Sequence, residues 1–387
     1  MPGSHAILSP SGASRWLACT PSARLEEQFP DKSGEAAAEG THAHSLAELL
    51  LRHQTGSVTK AAFNKLHGKL KESSYYDAAM QDHCENYAAY VLEQFNLAKS
   101  HTSDALLFLE QKLDLTEYVP EGFGTGDAII IADKVMNIID LKYGKGVPVT
   151  AVENRQMMLY ALGAYHLYSL LYNVEHVKMT IFQPRIDNIS EWQIDVTELL
   201  DWSERELKPK AKLAYDGEGE YAPGSHCRFC KARAVCKANA DFNLQLAEYD
   251  FKQPALLEDG EVAHILDRAD TFSQWLKDVQ EHALNEAVNN GKKWPGYKLV
   301  EGRSNRKYTD PKLVLSTLTG SGYPAENISK TEPLGITEME RVLGKTIFSD
   351  LLNNLVAKPP GKPTLAPLSD KRPEYNSAES AANDFSE

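Results

Sequence analysis

The stretch Gly124–Tyr143, GTGDAIIIADKVMNIIDLKY, constrains the chain more than any other. Two apolar, β-branched runs are separated only by Asp133 and Lys134. A gap that short favours an antiparallel hairpin. With the turn centred between Asp133 and Lys134, Ala132 pairs with Val135, Ile130 with Asn137, and Asp127 with Asp140. Opposed residues of a hairpin have Cβ atoms roughly 4.5–5.5 Å apart on one face of the sheet. Two like charges held that close are costly unless a cation sits between them. A cation that takes oxygen ligands, Mg²⁺ or Mn²⁺, is the natural guest. Lys142 lies two residues beyond Asp140 and points to the same side. An Asp-x-Lys alone is a common surface ion pair; an aspartate facing it across the hairpin makes the metal reading its equal.

The elements around this hairpin alternate between helix and strand. Residues 9–28 read as two short helical pieces, with Pro21 starting the second. The run SGEAAAEGTHAHSLAELLLRH reads as a strong helix, because Ala43, Leu46, Ala47 and Leu50 recur at i, i+3, i+4 and i+7. Ser33 is its expected N-cap. A further helix over about 76–99 carries Cys84. ALLFLEQKLDL is a strand before the hairpin, and VENRQMMLYALGAYHLYSLLY a long helix after it. HVKMTIFQPR and SEWQIDV form another strand pair, and a helix from about Thr197 leads to a group of cysteines. The pattern predicts a helix over Asp259–Asn290, then a mixed segment punctuated by Gly and Pro. Residues 359–387 read as an extended arm and a disordered acidic tail.

The chain has 387 residues, enough for two or three domains, and a net charge of −13. That charge argues against a general nucleic-acid coat protein but not against a nuclease, whose own site must be acidic to hold metal. No apolar run reaches the ~18 residues of a membrane span. The first residues, MPGSHAILSPSG, lack a basic segment followed by an apolar core, so the expected location is cytoplasmic.

Four short motifs now fall into one order. GTHAH spans Gly40 to His44 on a helix; GTGD ends at Asp127 on one strand; Asp140-Leu-Lys142 lies on the next; and QMMLY spans Gln156 to Tyr160 on the following helix. In this order and on these elements they resemble the RecB-like branch of the PD-(D/E)XK nuclease superfamily, over roughly residues 1–245. The resemblance implies that His44, Asp127 and Asp140 ligate Mg²⁺ or Mn²⁺, with the Leu141 backbone carbonyl as a further ligand. It implies that Lys142 acts on water and on developing charge. It sets Gln156 and Tyr160, one turn apart on one helix face, beside the site to orient Lys142 or the DNA backbone. For Tyr160, ordinary helix packing is nearly as good a reading. His42 competes with His44 but lies about 200° away around a helix that turns ~100° per residue, so the two cannot both face the site. Glu110 is an outer-shell candidate whose expected state is a solvated strand residue.

Cys227, Cys230 and Cys236 crowd into ten residues of a chain with five cysteines. In a cytosolic chain that crowding reads as metal binding rather than disulfides. Three thiolates leave one ligand to find. Cys84 sits in an apolar helix and is expected to be a small buried hydrophobe, so Cys19 is the better candidate. The one-plus-three split resembles the iron–sulfur subgroup of RecB-like nucleases, which includes AddB-type subunits and CRISPR-adaptation nucleases. There a 4Fe–4S cluster held by four cysteines clips the N-terminal segment to the end of the nuclease fold. A four-cysteine zinc site is the alternative. Arg228, Lys231, Arg233 and Lys237 interleave with these cysteines, placed either for phosphates or to balance the cluster's charge. Arg303, Arg306 and Lys307 form a second basic stretch.

The expected architecture is therefore α/β: a PD-(D/E)XK nuclease core, a mixed central sheet flanked by helices, with an iron–sulfur clip and a mixed C-terminal extension. The expected domains are a nuclease domain over 1–248, an accessory region over 249–358, and the arm and tail over 359–387. The whole pattern resembles phage and prophage nucleases, which implies DNA as substrate, a bacterial host cytoplasm, and phage recombination or replication proteins as partners. The C-terminal extension departs from the compact CRISPR-adaptation enzymes, and no helicase P-loop occurs. A non-catalytic DNA-binding or scaffold subunit that keeps the fold is the second reading, opposed by the complete His–Asp–Asp–Lys set.

Overall fold

The computed structural model describes residues 6–30, 34–146, 148–244, 259–302, 306–329, 333–359, 361, 363–367 and 372–375. It divides into two compact units, residues 1–275 and 276–387. The boundary expected after residue 248 falls in 245–258, outside the described residues.

The first unit is built on a five-stranded mixed sheet in sequential order. β1 (Leu106–Asp114), β2 (Phe123–Ala132) and β3 (Val135–Leu141) form an antiparallel meander. β4 (His176–Gln183) is parallel to β3, and β5 (Asn188–Asp195) is antiparallel to β4. The hairpin turn lies at Asp133–Lys134, where Asp133 takes a left-handed φ of 54°. Ala132 pairs with Val135 and Ala128 with Ile139, so the register brings Asp127 opposite Asp140 just past the last pair.

Helices cover both faces of the sheet because its inner strands are apolar on both. On one face α1 (Ala13–Ala18) and α6 (Arg155–Tyr168) enclose Ile129, Ile131, Met136, Ile138 and Met179 in one buried cluster. α7 (Val196–Trp202) and α8 (Lys208–Asp216) add to it and join through a π-helical turn, Ser203–Leu207, into one long rod. On the other face α3 (Glu35–Gln54) and α5 (Ala78–His101) cover Ala128, Ile130, Ile139 and Leu141. Ala43, Leu46, Ala47 and Leu50 of α3 are all buried there, as their spacing predicts. Each buried aliphatic side chain of this kind contributes about 1.5–3 kcal/mol, which locks the rotation of α3 about its axis. Ser33, the expected N-cap of α3, lies outside the described residues, and Gly34 occupies the N-cap position.

Three elements depart from the sequence reading. α2 (Ser22–Glu26) has Pro21 at its N-cap rather than inside its first turn. α4 (Lys60–Lys71) was not expected, although Phe63, Leu66 and Leu70 recur at i, i+3 and i+7; it buries none of its residues fully, and Phe63 and Leu70 pack partly buried against the cluster under α3 and α5. In the second unit, the arm contributes β9 (Pro363–Pro367), antiparallel to β6 (Tyr297–Glu301), where only extended chain was expected. Residues 376–387 of the expected tail lie outside the described residues. The core of the second unit is Val314, Leu318, Ile328, Met339, Leu343, Phe348 and Leu352. No helix among the described residues is long and apolar enough to cross a membrane.

Candidate functional site

Glu110 in the middle of β1, Asp127 in the middle of β2 and Asp140 near the end of β3 form a lateral row of carboxylates. Leu109 pairs with Ala128 and Gln111 with Gly126, so Glu110 stands opposite Asp127, and Asp127 stands opposite Asp140. Glu110 was expected to be solvated. It is instead half-buried, with a left-handed φ of 49° that few side chains tolerate. Burial, with the Asp127 charge beside it, pushes its carboxyl up to about 7. Strain and an unfavourable charge environment at one residue mark a position held for its site rather than for the sheet.

α3 brings His44 to this row from one side. Its Nδ1 is 3.2 Å from Asp127 Oδ1. One ligand atom each from His44, Glu110 and Asp127 all fall within 4.8 Å of one another. Burial alone would push the His44 imidazole down, but Asp127, by charge and hydrogen bond, and Asp140 together lift it to about 9. His42 does not join them; its nearest ring neighbour is Tyr75, at 6.5 Å between centroids.

α6 brings a polar chain from the opposite side. Lys142 Nζ donates to Gln156 Oε1 at 2.9 Å, and Gln156 Nε2 donates to the Tyr160 hydroxyl at 2.9 Å. Asn154 caps this helix through the backbone N–H groups of Gln156 and Met157, which fixes the first turn that carries Gln156. Tyr160 is buried against Gly124, where a Cβ would come within 2.9 Å of both its ring and Pro10. The sequence left Tyr160 open between packing and function; its ring is buried and its hydroxyl accepts from Gln156.

Asp140 closes the arrangement. It is buried, and desolvation raises its carboxyl despite the nearby Lys142 charge. Lys142 Nζ sits 2.9 Å from Asp140 Oδ2, so the buried carboxylate is paired with the ammonium. Asp127 Oδ2 accepts from the Leu141 backbone N–H at 2.7 Å, which ties β2 to β3 at the site. Of the expected ligands the structure brings His44 and Asp127 together, with Glu110 as the third member of the group; Asp140 is not in that group, and its Oδ2 lies against the Lys142 ammonium. The donor set of the group suits a divalent cation with mixed oxygen and nitrogen ligands.

The cysteines gather elsewhere in the same unit. Cys19, Cys227, Cys230 and Cys236 all line one pocket, together with Arg15, His226 and Arg233. All five cysteines are free thiols, and Cys84 is apart from the others, buried in α5 with its Sγ 3.4 Å from the Ala43 carbonyl. Burial pushes the Cys230 thiol up to about 12 and raises Cys227. The two chain segments are also joined by ordinary contacts. Buried Glu26 accepts from Arg15 Nε at 2.8 Å and from the Lys231 backbone N–H at 2.7 Å. Thr20 Oγ1 donates to the Glu218 carbonyl at 2.6 Å.

Of the second basic stretch, Arg303 lies outside the described residues, while Arg306 pairs with Glu340 at 2.6 Å within its own unit. Lys307 is exposed.

A family model described as "Protein of unknown function (DUF2800)" matches residues 5–373. Among solved structures, one titled "Crystal structure of SSO0001" aligns at 15% identity over 57% of this chain and 95% of that chain, with a TM-score of 0.23. A superposition that loose bears on neither fold nor chemistry.

Proposed function

The chain belongs to the DUF2800 family of proteins of unknown function, and we propose that it is a metal-dependent deoxyribonuclease of the RecB-like PD-(D/E)XK type, an exonuclease that processes DNA ends in phage recombination or replication. One observation carries this reading. Lys142 is held between Asp140 and Gln156, at 2.9 Å from each, beside a row of three carboxylates closed by His44.

The cation would be held by His44, Asp127 and Asp140, with Glu110 completing the oxygen set and the Leu141 carbonyl available beside them. Bound there, Mg²⁺ or Mn²⁺ supplies Lewis-acid activation of water and neutralises phosphoryl charge. Asp127 and Asp140 contribute the negative charge that attracts the ion, and burial of Asp140 strengthens that attraction. Lys142 keeps its proton, since Asp140 outweighs the desolvation that would remove it. Its ammonium orients the attacking water and meets charge that develops on the phosphoryl oxygens. Gln156 fixes the ammonium's direction, and Tyr160 fixes Gln156.

The cysteine pocket supports an iron–sulfur clip. Four cysteines that line one pocket match the ligand count of a 4Fe–4S cluster, and a four-cysteine zinc site, the alternative, uses the same set. Cys19, Cys227, Cys230 and Cys236 would hold it, structurally and away from the scissile bond.

The test is strand-labelled DNA incubated with the purified protein in Mg²⁺ or Mn²⁺. Shortened products that disappear with chelator, and with Asp140→Asn, support the reading. Binding without cleavage by protein loaded with either ion would favour a scaffold subunit instead.

A further inference from the structure

The cysteine loop carries a feature that neither cation nor cluster uses. Phe229 ends the 3₁₀ turn Ser225–Phe229 and is 66% exposed. A lone exposed aromatic residue is ordinary; its surroundings are not. The Arg228 guanidinium lies over the Phe229 ring, 4.9 Å from its centroid. Arg228 and Lys237 are exposed, and Lys231 and Arg233 lie between them in sequence. Four cations thus crowd one loop of a chain whose net charge is −13. Tyr221, 48% exposed, lines the adjoining pocket.

The loop is firmly held. Arg15 Nη1 donates to the Phe229 carbonyl at 3.3 Å, Cys230 N donates to the Cys227 carbonyl at 3.0 Å, and Lys231 N donates to buried Glu26. Arg15, which holds the Phe229 carbonyl, belongs to α1, which packs into the same buried cluster as α6.

A rigidly presented aromatic ring among cations has the makings of a base-stacking platform. The ring takes the face of a base and the cations take its phosphates. Bases inside a duplex are already stacked on each other, so such a ring selects unpaired strand. We propose that Phe229, backed by Arg228, stacks a base of single-stranded DNA. The choice of DNA rests on the nuclease reading; the stacking itself is measured without cleavage.

The experiment is fluorescence anisotropy with labelled oligothymidine and with blunt duplex, in chelator, using the full chain. Phe229→Ala weakens oligothymidine binding about tenfold or more and changes duplex binding less than about twofold, while Phe229→Trp keeps wild-type affinity. Unchanged melting temperatures for both variants establish that the surface alone was altered. Equal losses on both DNAs, no loss on oligothymidine, or a Trp variant no better than Ala overturns the proposal. Phe229-dependent binding by a wild type that cleaves nothing in Mg²⁺ or Mn²⁺ upholds the platform and removes the nuclease reading. Active cleavage with Phe229-independent binding does the reverse.

Discussion

Gln156→Ala isolates the middle link of the Lys142–Gln156–Tyr160 chain. Gln156 touches neither the row of carboxylates nor any proposed ligand; its Oε1 accepts from Lys142 Nζ and its Nε2 donates to Tyr160. A hydrogen bond to a charged group is worth ~1.5–3 kcal/mol. If that contribution acts in the transition state, kcat falls about 10- to 150-fold. Lys142 stays near the site through Asp140, so the fall is smaller than for Lys142→Ala. Tyr160→Phe removes only the neutral outer bond, worth ~0.5–1.5 kcal/mol, and lowers kcat about 2- to 12-fold. The damage therefore grades inward along the chain, with KM and cation affinity little changed. The double variant Lys142→Ala/Gln156→Ala should be no slower than Lys142→Ala, because the two residues act as one unit. Steady-state cleavage of end-labelled DNA at saturating Mn²⁺ reads all of this. A silent Gln156→Ala, a Tyr160→Phe as damaging as Lys142→Ala, or additive losses in the double variant would refute the chain as the device that aims Lys142.

Glu110→Gln should weaken Mn²⁺ binding by calorimetry and raise the melting temperature of the metal-free protein, since it removes a carboxylate held against its neighbours; tighter or unchanged Mn²⁺ binding would exclude Glu110 from the ligand set. In the metal-free protein His44 holds its proton up to about 9, so the stability it contributes is fully present below its ordinary 6.5 and is lost as pH rises through 9. Glu110 adds a penalty that grows from its ordinary 4.5 and is complete above about 7. The thermal shift produced by Mn²⁺ should therefore grow between pH 6 and pH 9, and a shift that shrinks over that range would contradict the site. Protein purified without oxygen should be brown, with iron and sulfide, and Cys19→Ser should bleach it as well as Cys227→Ser while Cys84→Ser leaves the colour. Bleaching by Cys84→Ser with full colour in Cys19→Ser would reverse the choice of ligand.

Asp127 and Asp140 were legible because a two-residue turn fixes register, and register alone brings residues 127 and 140 together. His44 was told from His42 by the GTHAH motif of the resemblance, because the buried stripe of Ala43, Leu46, Ala47 and Leu50 lies between the two histidines, about 100° from each. Glu110 was misjudged for a physical reason. Its sequence context, LFLEQK, reads as an ordinary alternating strand, and nothing in it announces a left-handed backbone. The missed signal was the same register argument carried one strand further, which brings Glu110 opposite Asp127. α4 was missed although Phe63, Leu66 and Leu70 mark one face of it, and β9 because its Pro-rich sequence reads as coil until β6 is there to pair with it. The polypeptide clip at Glu26 was also invisible, since it depends on a carboxylate buried between residues about two hundred positions apart.

The most direct measurement is digestion of linear DNA labelled on each strand by the wild-type protein and by Asp140→Asn. Both are tested in Mg²⁺, in Mn²⁺ and in chelator, with circular dichroism establishing that both are folded. The account predicts strand shortening by the wild type in divalent cation alone, and none by Asp140→Asn under any condition. Cleavage by the variant at the wild-type rate, cleavage by the wild type in chelator, or intact DNA with folded wild type in both cations would contradict it.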